Sequence, residues 1–178
     1  MKVISPTMFK EAFLKVVSAG EERILRVWDH PKNLTALMLS PQNGLLPDIA
    51  RELHLKYFRE YWSLDAVFYE NKDKLYFSEN DTFAENISVA VEHENNATYS
   101  HSEMNKLGLF NTPLAVIITY PGRNERKLLN DYSDILKRSD IFSDFGQKRQ
   151  KLVVFGKSAN QAVAWSFHLF DGEKFIKA

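Results

Sequence analysis

Residues Leu114–Tyr120 read Leu-Ala-Val-Ile-Ile-Thr-Tyr, an almost unbroken run of apolar strand formers. A strand with one wet face alternates polar and apolar residues, whereas a strand covered on both faces does not. This stretch therefore predicts a strand buried between two layers. Working outward, Gly108, Asn111 and Pro113 separate it from a helix expected at about Tyr99 to Leu107. On its other side Leu128, Leu129, Tyr132, Ile135 and Leu136 recur at helical spacing. A buried strand between two helices predicts an α/β fold with a mixed sheet flanked by helices.

Further upstream the period is two. Residues 61–70, YWSLDAVFYE, place Trp62, Leu64, Ala66 and Phe68 on one face and Ser63, Asp65, Val67 and Tyr69 on the other. NKDK reads as a turn, LYFSE as a return strand and NISVAVEHEN as a third strand, which together predict a meander. Before it, Ile49, Leu53, Tyr57 and Phe58 suggest a helix from about Pro47 to Glu60, with Pro47 in its first turn. The amino-terminal region predicts a helix after Pro6, closed by Gly20, then a segment over Glu22 to Asp29 and a short helix within HPKNLTALMLSPQNG. KLVVFGK and QAVAWSFHLFDG close the chain as two strands or a hairpin.

The 178 residues are 44% hydrophobic and 13% aromatic, which suits one compact domain rather than a disordered or repetitive chain. Residues 1–45 form a helical region, 46–138 the core and 139–178 the closing strands. Cysteine is absent, which excludes disulfides, thiolate nucleophiles and thiolate zinc sites. The amino terminus lacks the apolar run of a signal peptide and no stretch is long enough to span a bilayer, so a cytoplasmic location is the default expectation. Lys+Arg and Asp+Glu balance at 23 each. The distribution is uneven, with nine acidic and three basic residues between Tyr61 and Tyr120, then nine basic and five acidic between Pro121 and Asn160. An acidic middle beside a basic flank suits a metal site next to a phosphate-binding surface, and equally suits solvated helix faces.

The chemistry concentrates where the apolar strand VAVEHENN ends. Glu92 and Glu94 are two apart and so share one face, about 6.5 to 7 Å apart along the strand. Asp65 is the charged residue between Trp62 and Tyr69. Carboxylates buried together repel one another, and a hard divalent cation with oxygen ligands relieves that repulsion. The bland alternatives are an arginine partner for Asp65 and a strand that simply leaves the core at Glu92. His93 points to the face opposite the glutamates, so its side chain is expected to pack, although its carbonyl can serve as a metal ligand. His93 and His101 are eight positions apart, not the four of a zincin helix. Asn95 and Asn96 suit a turn, a helix cap or a phosphate contact. No glycine-rich phosphate loop, nucleophile elbow or Rossmann fingerprint occurs.

The helix, the LDAVFY strand with Asp65, the return hairpin, the VAVEHEN strand with Glu92 and Glu94, the next helix and LAVIITY resemble the core of the PD-(D/E)xK nuclease superfamily. The resemblance covers about half of the chain and implies a restriction-endonuclease-like fold in αβββαβ order. It further implies Mg2+ or Mn2+ held by Asp65, Glu92 and the His93 carbonyl, hydrolysis of phosphodiester bonds, double-stranded DNA as partner and a homodimer. In the family pattern a lysine follows two positions after the second acid; here Glu94 stands there, as in relatives with Glu-x-Glu. Glu94 then acts as base or metal ligand, or Lys106 on the following helix supplies the missing cation. A further acid from the preceding helix is Glu52 or, as second choice, Glu60. A non-catalytic protein on the same fold, and a metal-dependent hydrolase with another substrate, are the alternatives.

Overall fold

A computed structural model of the chain describes residues 1–76, 82–84, 86–139, 149–159 and 162–178. It is an α/β structure built on a seven-stranded mixed sheet, with six α-helices among the described residues. Four helices come first: α1 (Pro6–Ala19), α2 (Glu21–Val27), α3 (Pro31–Leu39) and α4 (Leu45–Glu52). Ser5 caps α1 by accepting the Met8 N–H at 3.2 Å, and Pro6 follows where its missing N–H costs nothing. The strands β1 (Lys56–Tyr61), β2 (Leu64–Tyr69) and β5 (Val89–Glu94) form an antiparallel meander, with β3 (Lys74–Tyr76) and β4 (Thr82–Ala84) between β2 and β5 in sequence. Helix α5 (Ser100–Leu109) crosses to β6 (Leu114–Thr119), and α6 (Glu125–Ser139) to β7 (Gln150–Ala159), so β5, β6 and β7 run parallel. The chain closes with β8 (Ala162–Phe170) and β9 (Phe175–Lys177), and the sheet order is β1-β2-β5-β6-β7-β8-β9.

LAVIITY sits at the centre of this sheet, and all six residues of β6 are buried. Its alternate residues serve two cores. Leu114, Val116 and Ile118 join Phe9, Phe13, Ile49 and Phe68 under the amino-terminal helices, while Ala115 and Ile117 join Leu107, Leu128 and Tyr132 under α5 and α6. The amino-terminal region therefore covers one face of the sheet. Phe13, fully buried, packs edge-on against Trp165 and Phe167 of β8 at centroid distances of 4.9 and 5.7 Å.

Three expectations are corrected. The helix expected to reach Glu60 ends at Glu52, because His54 adopts a left-handed conformation (φ 56). Its N–H donates to Arg51 at 2.9 Å and the Leu55 N–H to Ala50 at 2.8 Å, the paired bonds of a Schellman terminus in which glycine is the usual residue. Tyr57 and Phe58 then face opposite cores, as neighbours on a strand must. Trp62 lies in the β1–β2 turn rather than on the Asp65 strand. Among the described residues the expected return strand does not join the meander, since Lys74–Tyr76 pairs with β4 in a separate two-stranded sheet. The remainder of LYFSE lies outside the described residues. The strand that flanks β2 opposite β5 is instead β1, and in the chain β3 and β4 intervene between β2 and β5.

Phe13→Ala is expected to lower the unfolding free energy by about 3–5 kcal/mol in urea denaturation, since it empties the contact between α1 and β8. His54→Gly is expected to be neutral or to stabilise by up to about 1 kcal/mol; a loss of about 1 kcal/mol, the glycine effect inside a helix, would show that the terminus is misassigned.

Candidate functional site

The carboxylates gather on the face of the sheet that α5 and α6 cover. Val67 and Ala90 belong to that core, so Asp65 and Glu92, each two residues away along its strand, point the same way. The β2–β5 ladder pairs Ala66 with Val91, and one step further it stops. There the Asp65 side chain takes the place of a backbone carbonyl, its Oδ2 accepting the His93 N–H at 2.8 Å. A short polar side chain thus ends the ladder and is fixed beside Glu92.

Glu92 is 1% exposed near the carboxyl end of the apolar strand β5. Its Oε1 lies 2.8 Å from the ammonium of Lys106 on α5. Lys106 also donates to the Ser63 carbonyl at 2.6 Å and contacts Glu103, three residues earlier on the same helix. One ammonium therefore joins β5, α5 and the β1–β2 turn. Glu92 Oε1 and Glu103 Oε2 are sealed from solvent and receive no well-aligned hydrogen bond among the described residues, so Lys106 meets them as a charge.

Burial pushes the Glu92 carboxyl up to about 9, with the neighbouring Asp65 and Glu103 charges adding to the rise and Lys106 opposing it. For Lys106, burial favours the neutral amine, but Glu103 and Glu92 outweigh it and hold the group above the ordinary lysine range. The two groups titrate as a pair: without a metal, burial favours the protonated form of Glu92, and the adjacent carboxyl groups favour the charged form of Lys106.

The other residues named from sequence fall elsewhere. Glu94 is half-buried at the strand end, where its Oε1 accepts the Asn96 N–H at 2.7 Å and shapes the turn into α5. The His93 ring lies across the sheet, bonded through Nε2 to the Tyr120 hydroxyl at 2.9 Å. Burial lowers its pKa to about 4 and keeps it neutral. Glu52 is not in the cluster: α4 packs on the opposite face, and Glu52 pairs there with Lys15 of α1 at 2.5 Å. Glu60 is exposed in the β1–β2 hairpin and pairs with Arg59 at 2.7 Å. Glu103 was missed, because a glutamate three residues from a lysine on a helix ordinarily marks a solvated face.

No family model matches the chain, and no curated protein matches it in sequence. The site must be read from its own chemistry.

Asp65, Glu92 and Glu103 are hard oxygen donors, the type that Mg2+ and Mn2+ take, and the two buried oxygens that lack aligned bonds fit such an ion. As the side chains stand, no three acidic or imidazole groups among the described residues converge closely enough to share one. Lys106 fills that role in the metal-free arrangement. A separate cleft of about 490 Å3 opens beyond the carboxyl ends of β5 and β6, lined by Asn96, His101, Tyr120, Gly122, Lys127 and Asp131. Its charges satisfy each other, with Asp131 bonded to Lys127 at 2.5 Å and to His101 at 3.1 Å. The buried carboxyl displaced from its ordinary range is at Glu92, which makes the Asp65–Glu92–Lys106 cluster the stronger candidate.

The raised Glu92 pKa has a definite sign in stability. Between the ordinary value of 4.5 and about 9 the native state binds a proton that the unfolded chain lacks. Its contribution is full below the lower value and is lost as pH rises toward the upper one. In EDTA, Glu92→Gln should remove this loss, so that its urea midpoint gains on the parent protein from about pH 5 to about pH 9. A constant difference across that range would show that Glu92 does not titrate there.

Proposed function

We propose that the protein is a metal-dependent phosphodiesterase acting on nucleic acid, with DNA foremost, on a restriction-endonuclease-like core. The observation that carries this reading is the contact of Lys106 with Glu92 beside Asp65: it supplies a lysine to the acidic pair although the motif position holds Glu94. The order of α4, β1, β2, β5, α5 and β6, with β2 antiparallel to its neighbours, supports the same fold.

Asp65 and Glu92, with the His93 carbonyl, would hold Mg2+ or Mn2+, which when bound neutralises the scissile phosphate and acidifies a water molecule. Asp65 is oriented by its bond to the His93 N–H, and the strand beneath both acids keeps them rigid. Lys106, anchored by the Ser63 carbonyl and Glu103, keeps its charge and faces negative charge developing on the phosphate. Glu94 serves the turn rather than the lysine role. Arg123, Arg126 and Arg138 are exposed near or on α6 and suit phosphate contacts that position a strand without reading its sequence. Lys127, Lys137 and Lys157 are engaged with Asp131, Glu173 and Glu125, and Lys148 lies outside the described residues. Among the described residues no helix is long and apolar enough to cross a membrane.

A second reading is a non-catalytic nucleic-acid-binding protein on the same fold. It is favoured by the lack, among the described residues, of three converging metal donors. Plasmid and single-stranded DNA incubated with Mg2+ or Mn2+ separate the two. Cleavage should fall below detection in Asp65→Ala and Glu92→Ala, by about 100-fold or more in Lys106→Ala, and by less than about tenfold in Glu94→Ala. The reverse order for Lys106 and Glu94 would exchange their roles. Salt-dependent DNA binding without cleavage, and without a Mn2+-induced rise in Tm, would establish the non-catalytic reading.

A further inference from the structure

The β1–β2 hairpin holds features that the carboxylate–lysine cluster does not use. Trp62 at its tip is 77% exposed. Glu60 (φ 54) and Trp62 (φ 57) both adopt left-handed backbone conformations that bulky residues rarely take. The two-residue turn between the paired Tyr61 and Leu64 demands a positive φ at its first residue, which holds Trp62 at the hairpin tip. Tyr61, between Glu60 and Trp62, braces the indole from one side, with ring centroids 6.2 Å apart and planes within 15°. The two rings form one wall of an apolar pocket of about 260 Å3, completed by Ala84, Ile87, Phe110 and Asn111.

The pocket is tied directly to the candidate site. Ser63, the next residue after Trp62, gives its carbonyl to Lys106 at 2.6 Å, and Lys106 stands 2.8 Å from Glu92. Asp65 follows two residues later, on β2. An aromatic wall, an apolar floor and a side-chain amide at the rim suit a flat heterocycle whose face stacks and whose edge bonds. A phosphate-handling cluster one residue away suits the backbone that carries such a heterocycle. A base within a duplex has both faces covered, so only an unpaired base can enter.

We propose that Trp62, braced by Tyr61, stacks an unpaired nucleobase of a strand that runs past Asp65, Glu92 and Lys106, making single-stranded or locally unpaired nucleic acid the substrate class. The identity of the ligand rests on the nuclease reading above; the pocket itself does not.

The test uses the whole 178-residue chain in EDTA, titrated with a short oligodeoxythymidylate and with a blunt duplex of equal length. Trp28 and Trp165 are packed against Tyr120 and each other, so quenching by a stacked base reports chiefly on Trp62. The single strand should quench emission saturably. Trp62→Ala should weaken single-strand binding by about five- to 150-fold, the range of base–aromatic stacking, and Trp62→Phe should retain most of it. Duplex affinity should be the same in all three. Equal single-strand affinity in the parent and Trp62→Ala overturns the proposal, and so does an absence of single-strand binding. Metal plays no part in this measurement. Quenching that persists in a protein unable to cleave would overturn the nuclease reading and leave the base site standing.

Discussion

One ammonium group decides what the candidate site can be. Without Lys106, the sheet would bury Glu92 beside Asp65 and Glu103 with no opposite charge to offset its burial. With it, helix, strand and hairpin turn share a single charged point through Glu103, Glu92 and the Ser63 carbonyl. The same contact makes the site economical in chain length, since the acids come from neighbouring strands and their counter-charge from the helix that immediately follows. It also makes the site responsive: a proton, a lysine or a metal ion can each relieve the buried charge, and the balance among them sets its state.

Much of this was legible in the residues because it rests on period and pattern. The unbroken run of β6 announces coverage on two faces, and the alternation in β2 and β5 puts Asp65 and Glu92 on one of them. What escaped has physical reasons. The end of α4 depends on His54 taking a conformation that glycine usually marks, so the apolar pattern alone extends the helix through Tyr57 and Phe58 and carries Glu52 toward Asp65. Glu103 and Lys106 have the spacing of a common surface pair, and only packing of α5 on β5 shows that their charges turn inward. The hairpin tip has no sequence signature, because its two-residue turn demands a positive φ at Trp62, where glycine or asparagine is the usual marker.

The two faces of the sheet have separate duties. The amino-terminal helices bury Phe9, Phe13 and Ile49 against one side, where His93 and Tyr120 are bonded and neutral. The other side carries the acids beneath α5 and α6. A single strand, β5, presents Glu92 to one layer and His93 to the other, so polarity is separated by the thickness of the sheet rather than by distance along the chain. Deep burial under the amino-terminal helices gives the candidate site a stiff back wall.

Between β2 and β5 the chain leaves the main sheet and comes back beside its point of departure, since Phe68 is paired with Val89. The register of the two acid-bearing strands is thus closed locally, and the small β3–β4 pair is appended to it instead of built into it. Such a junction is modular: an insert of different length or character can be carried there while Asp65 and Glu92 stay in step, because the register that aligns them does not run through the appended pair.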